Sequence, residues 1–263
     1  MSKLLFFDID GTLIDCNLGI YEISVNVRQA LDKLKEKGDD VFLATGRCKC
    51  FIVDEVMNYP FSGYVTCNGG YVEYQNKPVY KAIVPRYAIK ATMELCDKYG
   101  FNYYFEGTDK IYVRDCNDKR HLEFCDKWKM KLETVEDKFD PDKIETYIGM
   151  IVVNDVKDIP IMVEALNPFF DIQRHQNDCS FDLTLRGVSK AVGISELVKK
   201  LNNDIKDTIA FGDGRNDIEM LESVGLGIAM GNAVIEAKAS ADFVTDRIEN
   251  DGIVKALKKF ELL

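Results

Sequence analysis

Asp8-Ile9-Asp10-Gly11-Thr12 follows the apolar run Leu4-Leu5-Phe6-Phe7, so a buried strand ends in two carboxylates spaced two residues apart. Carboxylates this close repel one another, and desolvating them is costly unless a cation or a proton held between them offsets the cost. A divalent metal is the direct solution. Alone, Asp10-Gly11 also reads as an ordinary turn after a strand. Three other segments weigh against that reading. Val41-Phe42-Leu43-Ala44 runs into Thr45-Gly46-Arg47, and Tyr64-Val65-Thr66-Cys67 runs into Asn68-Gly69-Gly70. Ile209-Ala210-Phe211 runs into Gly212-Asp213-Gly214-Arg215-Asn216-Asp217. Ligands of open parallel sheets bind beyond the carboxyl ends of the strands, which is where all four of these polar segments fall. Asp8, Asp213 and Asp217 offer hard oxygen ligands from separate strand ends, a set suited to Mg²⁺, which takes a couple of carboxylates and keeps several waters. Zinc is a poor fit. The Thr45 hydroxyl, loop amides freed by Gly11 and Gly46, and the ammonium of Lys190 at the start of a helical pattern are groups that hold a tetrahedral phosphate.

The elements that must position these residues alternate through the first third of the chain: strand 3–7, a helical pattern over 25–37, strand 41–44, a helix around 50–58 and strand 64–67. The last third resumes the rhythm with helix 190–201, strand 208–211, helix 216–223, strand 226–229, helix 233–239, strand 242–244 and helix 251–259. Strand and helix in alternation predict a parallel sheet covered on both faces. Between the two blocks the pattern changes to strand pairs around helices, with Gly107-Thr108 and Gln176-Asn177-Asp178 as turns. The predicted architecture is α/β: a doubly wound, parallel-sheet, Rossmann-like core of residues 1–83 and 186–263, with an α+β domain of residues 84–185 inserted into it.

Composition limits the partners. With 34 Lys+Arg against 44 Asp+Glu the formal net charge is -10, which argues against broad nucleic-acid or anionic-membrane binding. The apolar stretch after Lys3 is broken by Asp8 and Asp10 before a signal-peptide core can form, and no segment is long enough to cross a bilayer. The eight cysteines are scattered, consistent with reduced thiols and a cytoplasmic location. Cys48-Lys49-Cys50 invites a metal or redox reading, but there is no second Cys pair and both histidines, His121 and His175, are distant in sequence.

Taken in order, Asp8-Ile9-Asp10-Gly11-Thr12, Leu43-Ala44-Thr45-Gly46-Arg47, Ser189-Lys190 and Gly212-Asp213-Gly214-Arg215-Asn216-Asp217-Ile218-Glu219-Met220-Leu221 resemble the four motifs of the haloacid dehalogenase (HAD) superfamily, specifically its Cof-like phosphatases. Asn68-Gly69-Gly70 and Met230-Gly231-Asn232-Ala233 are similar to further segments of that branch. Ala191 where the branch usually has Gly, and Gly214 where it usually has Ser, are departures that remove no functional group. The resemblance implies a HAD core with an inserted cap and a Mg²⁺-dependent phosphatase of a small phosphorylated metabolite, a sugar phosphate or a cofactor phosphate. It further implies that Asp8 is the nucleophile and becomes an aspartyl-phosphate, while Asp10 protonates the leaving group and later activates water. Thr45 and Lys190 would stabilise the transferring phosphoryl group, with Gly11, Gly46, Arg47 and Asn216 supporting phosphate binding. Asp8, the backbone carbonyl of Asp10, Asp213 and Asp217 would hold or orient the metal.

Specificity is expected to lie in the insert, where Tyr103, Tyr104, Arg114, His121 and His175 are polar candidates that read more simply as packing or surface residues. Two rival functions share much of the chemistry: a phosphomutase on the same core, and a non-catalytic receiver module phosphorylated on Asp. The insert of about a hundred residues and the acid/base candidate Asp10 favour turnover over a receiver. A dinucleotide site is disfavoured, because Gly225-Leu226-Gly227 is followed by Met230 where the third glycine is required.

Overall fold

The computed structural model describes residues 2–128, 130–175 and 179–263. The expected turn at Gln176-Asn177-Asp178 lies outside the described residues. The chain divides into two compact units, one of residues 1–46, 53–80 and 189–263, the other of residues 47–52 and 81–188.

The first unit is built on an eight-stranded sheet. Its spatial order is Phe243–Val244, Leu226–Ala229, Thr208–Gly212, Leu4–Phe7, Asp40–Ala44, Gly63–Thr66, Tyr71–Tyr74 and Lys77–Lys81. The first six strands are parallel, as the alternation of strand and helix requires. The far edge departs from the expected pattern, because Tyr71–Tyr74 turns back antiparallel to Gly63–Thr66. A run of left-handed residues, Cys67 at φ 55°, Asn68 at φ 50° and Gly69 at φ 91°, reverses the chain there. Gln75 and Asn76, both at positive φ, make the next two-residue turn. Leu4, Leu5, Phe6 and Phe7 are buried. Each such side chain contributes about 1.5–3 kcal/mol, which offsets the cost of ending the strand in carboxylates.

Chain order fixes where a site can form. From Leu4–Phe7 the chain proceeds outward through 40–44 to 63–66, and from Thr208–Gly212 it proceeds the opposite way through 226–229 to 243–244. The two central strands therefore flank a topological switch point, where the connections diverge and leave a crevice at the carboxyl ends. Register places Phe7 beside both Phe211 and Leu43. The residues that leave the sheet next are Asp8, Gly212-Asp213 and, after Ala44, Thr45.

The second unit carries a six-stranded sheet in the order Phe170–Arg174, Ser180–Leu185, Ile148–Val152, Asn102–Glu106, Ile111–Val113 and Val135–Glu136. Pairing is antiparallel from 170–174 through 111–113, and the last pair is parallel. Period-two alternation sorts its faces. Tyr103, Phe105, Ile151, Phe181 and Leu183 join Ile89 of helix Arg86–Tyr99 and Met162 of helix Ile159–Leu166 in one apolar core. Tyr104, Glu106 and Asp182 alternate with those residues along their strands. No helix among the described residues is long and apolar enough to cross a membrane.

Candidate active site

Tight backbone turns aim the side chains. After the first strand the chain closes on itself, with Gly11 N–H donating to Ile14 O at 2.7 Å and the amides of Thr12, Leu13 and Ile14 all donating to Ile9 O. Gly11 sits at φ +85°, and a Cβ there would lie 2.2 Å from Asp213 Oδ2. Both the left-handed conformation and the missing side chain are therefore required for Asp213 to occupy that cradle. Thr12 Oγ1 donates to Asp213 Oδ1 at 3.4 Å, and Asn232 Nδ2 donates to Gly11 O at 2.7 Å.

Lys190 opens the helix Lys190–Leu201, whose N-cap Ser189 accepts from Val192 N–H. This helix end packs on the left-handed turn, since a Cβ at Gly69 would be 2.0 Å from Ser189 O. The Lys190 ammonium, with its side chain 0% exposed, donates to Asp8 Oδ1 and to Asp217 Oδ1 at 2.6 Å each. Asp217 is more than a charge. Its second oxygen accepts the amides of Asp213 at 2.9 Å and Gly214 at 2.8 Å, which shapes the loop that presents Asp213.

Oxygens of Asp8, Asp213 and Asp217 lie within 4.8 Å of one another. Burial raises the pKa of Asp8; the Lys190 charge lowers it, and the Asp217 and Asp10 charges raise it again, leaving it above the usual carboxylate range. Asp213 is raised in the same direction, by burial and then by Asp8 and Asp217. Burial opposes the Lys190 charge, but the Asp217 and Asp8 carboxylates outweigh it and hold the ammonium above its ordinary value. With all three carboxylates ionised, the single Lys190 ammonium, paired with Asp8 and Asp217, would leave two negative charges uncompensated, which is why Asp8 and Asp213 are harder to ionise. All-oxygen donors with this charge deficit fit a hard divalent cation, and Asp8, Asp213 and Asp217 are the side chains that could hold it.

The remaining predicted site residues fall into two groups. Thr45 is buried, receives Asn68 N–H on its carbonyl at 3.1 Å, and leaves the strand adjacent to Asp8. At Gly46 a Cβ would meet Asn68 Oδ1 at 3.0 Å and Asn216 Nδ2 at 3.5 Å, and Asn216 Nδ2 itself donates to Asn68 Oδ1 at 3.0 Å. These three residues tie the second motif to the fourth. Asp10 is half-buried beside Asp8. Arg47 belongs to a segment grouped with the second unit; its Nη1 donates to Phe51 O at 3.2 Å and the guanidinium lies 4.9 Å from the Phe51 ring centre.

Thr12, Asn68 and Asn232 are site-shaping residues absent from the predicted set. Asn68 and Asn232 lie in segments whose glycine-rich patterns, Asn68-Gly69-Gly70 and Gly231-Asn232, were the signal available. The candidates in the insert have local partners. His121 Nδ1 is 3.2 Å from Tyr104 Oη. Arg114 Nη1 donates to Phe101 O at 3.1 Å. His175 reaches Ser180 Oγ and Asp182 Oδ1 at 2.9 Å each.

Comparison with known proteins agrees with the fold. The family of haloacid dehalogenase-like hydrolases matches residues 5–257. YkrA of Bacillus subtilis (strain 168), which bears the name of a phosphatase, is 35% identical over 262 residues covering 100% of this chain and 99% of its own. A solved sugar phosphatase of HAD subclass IIB superposes with a TM-score of 0.86 at 31% identity, with 100% of both chains covered. A solved protein from Geobacillus kaustophilus HTA426 gives a TM-score of 0.88 at 32% identity, again over 100% of both chains. On this likeness, which runs the length of the chain, the protein belongs to the haloacid dehalogenase-like hydrolases and is a Cof-like phosphatase among them.

Proposed function

We propose that the phosphatase is a Mg²⁺-dependent phosphomonoesterase that hydrolyses a small phosphorylated metabolite of the sugar-phosphate class through an aspartyl-phosphate on Asp8. The observation that carries this reading is the buried Lys190 ammonium, held at 2.6 Å from both Asp8 and Asp217 within a carboxylate cluster. Structural carboxylates are not gathered at this desolvation cost without a charge to balance. The substrate class rests on the sugar phosphatase with which the chain shares 31% identity over its full length.

In the first half-reaction an Asp8 carboxylate oxygen attacks phosphorus as the bond to the leaving oxygen breaks, and Asp10 gives that oxygen a proton. In the second, the Asp10 carboxylate removes a proton from water, which attacks the phosphorus of the aspartyl-phosphate and frees Asp8 and inorganic phosphate. Lys190 neutralises charge on the equatorial oxygens, and the Thr45 hydroxyl donates to the same group. Bound Mg²⁺ supplies the remaining positive charge to the phosphoryl oxygens. Asp217 keeps Lys190 and the Asp213 loop in place.

The test is phosphate release over a panel of phosphorylated metabolites, with p-nitrophenyl phosphate as control. Asp8→Asn is expected to abolish release while leaving the fold intact, and Asp10→Asn to lower kcat more than it raises KM. EDTA is expected to silence the enzyme and Mg²⁺ to restore it. Wild-type turnover by either variant, or full activity after chelation, refutes the assigned roles. Stoichiometric free phosphate as product separates hydrolysis from mutase chemistry.

A further inference from the structure

The Cys48-Lys49-Cys50 pair is not absorbed by the phosphatase chemistry. It lies in the six-residue segment Arg47–Ile52, which packs with the second unit while residues 46 and 53 on either side belong to the first. Cys48 is buried and Cys50 half-buried. Their Sγ atoms lie 3.6 Å apart, so a disulfide of roughly 2 Å requires the two sulfurs to close by less than about 2 Å. The segment is braced from both ends: Arg47 holds Phe51 O, and the Phe51 ring centre lies 6.2 Å from that of Phe124.

A third group completes the arrangement. Glu106, the last residue of strand Asn102–Glu106, accepts hydrogen bonds from both the thiol and the amide of Cys48. Burial and then the Asp182 charge push its carboxyl up to about 7. At neutral pH it is thus able both to accept a proton from the thiol and to pass one on.

We propose that Cys48 and Cys50 form a reversible oxidative modification site, in which a peroxide converts the two thiols into an intramolecular disulfide and lowers phosphatase turnover. The less buried thiol, Cys50, reacts first. Cys50 Sγ, as thiolate, attacks a peroxide oxygen, the O–O bond breaks, and the products are a Cys50 sulfenic acid and a hydroxide, which takes up the proton released when the thiol ionised and leaves as the first water. Cys48 Sγ then attacks the Cys50 sulfur and the S–O bond breaks. The Cys48 proton passes to the Glu106 carboxylate, and from there to the departing hydroxide, which leaves as a second water. Two thiols and one peroxide give one disulfide and two waters, with two electrons moving from sulfur to oxygen. An external dithiol reverses the reaction by exchange.

The disulfide leaves Cys48 with no thiol proton to donate to buried Glu106 and closes residues 48–50 into a ring. Thr45 lies three residues upstream, connected through Gly46 and Arg47. The effect on turnover rests on the phosphoryl contact proposed for Thr45; formation of the disulfide does not.

The experiment uses the full chain, reduced, freed of reductant, and treated with hydrogen peroxide. Trypsin cuts after Arg47 and Lys49, so without reduction a Cys48–Cys50 disulfide keeps the dipeptide Cys48-Lys49 attached to the peptide that begins at Cys50. Fragment spectra assign the link to Cys50 rather than Cys67. The linked species is expected to accumulate as p-nitrophenyl phosphate turnover falls by about fivefold or more, and dithiothreitol to reverse both. Cys50→Ser is expected to match the untreated wild type within about twofold and to keep that activity after peroxide. Failure of the dipeptide to link to Cys50 overturns the site, whatever the fate of the Asp8 mechanism. Linkage with unchanged turnover, or equal loss in Cys50→Ser, overturns its control of activity.

Discussion

Lys190→Met removes the one charge that two buried carboxylates share while keeping a side chain of similar length. The Lys190 Nζ lies 2.6 Å from oxygens of both Asp8 and Asp217, and the lysine and Asp217 side chains are 0% exposed. Breaking a buried ion pair by deleting one partner costs about 3–5 kcal/mol, because the remaining charge is left uncompensated. That range is the expected loss at pH 8 without metal. The pH dependence follows from the sign of the Asp8 shift. Its pKa in the fold is already above the usual range even though the Lys190 charge lowers it, and the substitution removes that lowering. A carboxylic acid with a raised folded pKa is deprotonated first in the unfolded state. Stability is therefore greatest below the ordinary carboxylate pKa and falls as pH rises toward the folded value. The deficit of the variant is expected to be small at pH 5 and to reach its full size at pH 8, and added Mg²⁺ is expected to recover much of it. Urea unfolding followed by circular dichroism at both pH values, with EDTA or Mg²⁺, measures this directly. A deficit below about 1 kcal/mol at pH 8, or one of equal size at pH 5, refutes the shared-charge account. Turnover of the variant is expected to fall by about 10²-fold or more under every condition.

Gly11→Ala places a methyl 2.2 Å from Asp213 Oδ2 on a residue at φ +85°. Stability is expected to fall by about 1–3 kcal/mol from backbone strain alone, and half-saturation by Mg²⁺ to move to higher concentration as Asp213 is displaced. An unchanged Mg²⁺ titration would count against Asp213 as a ligand. Glu106 gives a second pH signature, in the second unit. Its carboxyl is pushed up to about 7, so wild-type stability falls as pH rises from the ordinary glutamate value toward that point. The loss amounts to about 3 kcal/mol at most, at 1.36 kcal/mol per unit. Glu106→Gln has no such proton to lose, so its unfolding free energy relative to wild type should improve between pH 4.5 and 7.5. Parallel curves for the two proteins would show that burial does not raise Glu106.

Much of the core was readable from local pattern. Apolar runs of four residues ending in Asp, Thr or Gly mark strand ends whatever the fold around them, and the alternation of such runs with helical periods predicts a parallel sheet. The antiparallel edge at 71–81 was not readable in the same way. It follows from Cys67 and Asn68 taking positive φ, a conformation their residue types permit but do not demand. Arg47 shows a different limit. Adjacency to Thr45-Gly46 suggests a phosphate ligand, but it could not reveal that the guanidinium also contacts Phe51 O and the Phe51 ring in a segment grouped with the second unit.

The linear order of residues determined which groups are available for chemistry: carboxylates at positions 8, 10, 213 and 217, an ammonium at 190, a hydroxyl at 45. Their meeting is a property of the tertiary structure. Asp8 and Asp213 become neighbours because register sets Phe7 beside Phe211, and Lys190 reaches both Asp8 and Asp217 because its helix rests on the bare backbone at Gly69. Contacts spanning some two hundred residues depend on strand register and on close backbone approach. Residue types specify these only through the packing of the whole sheet.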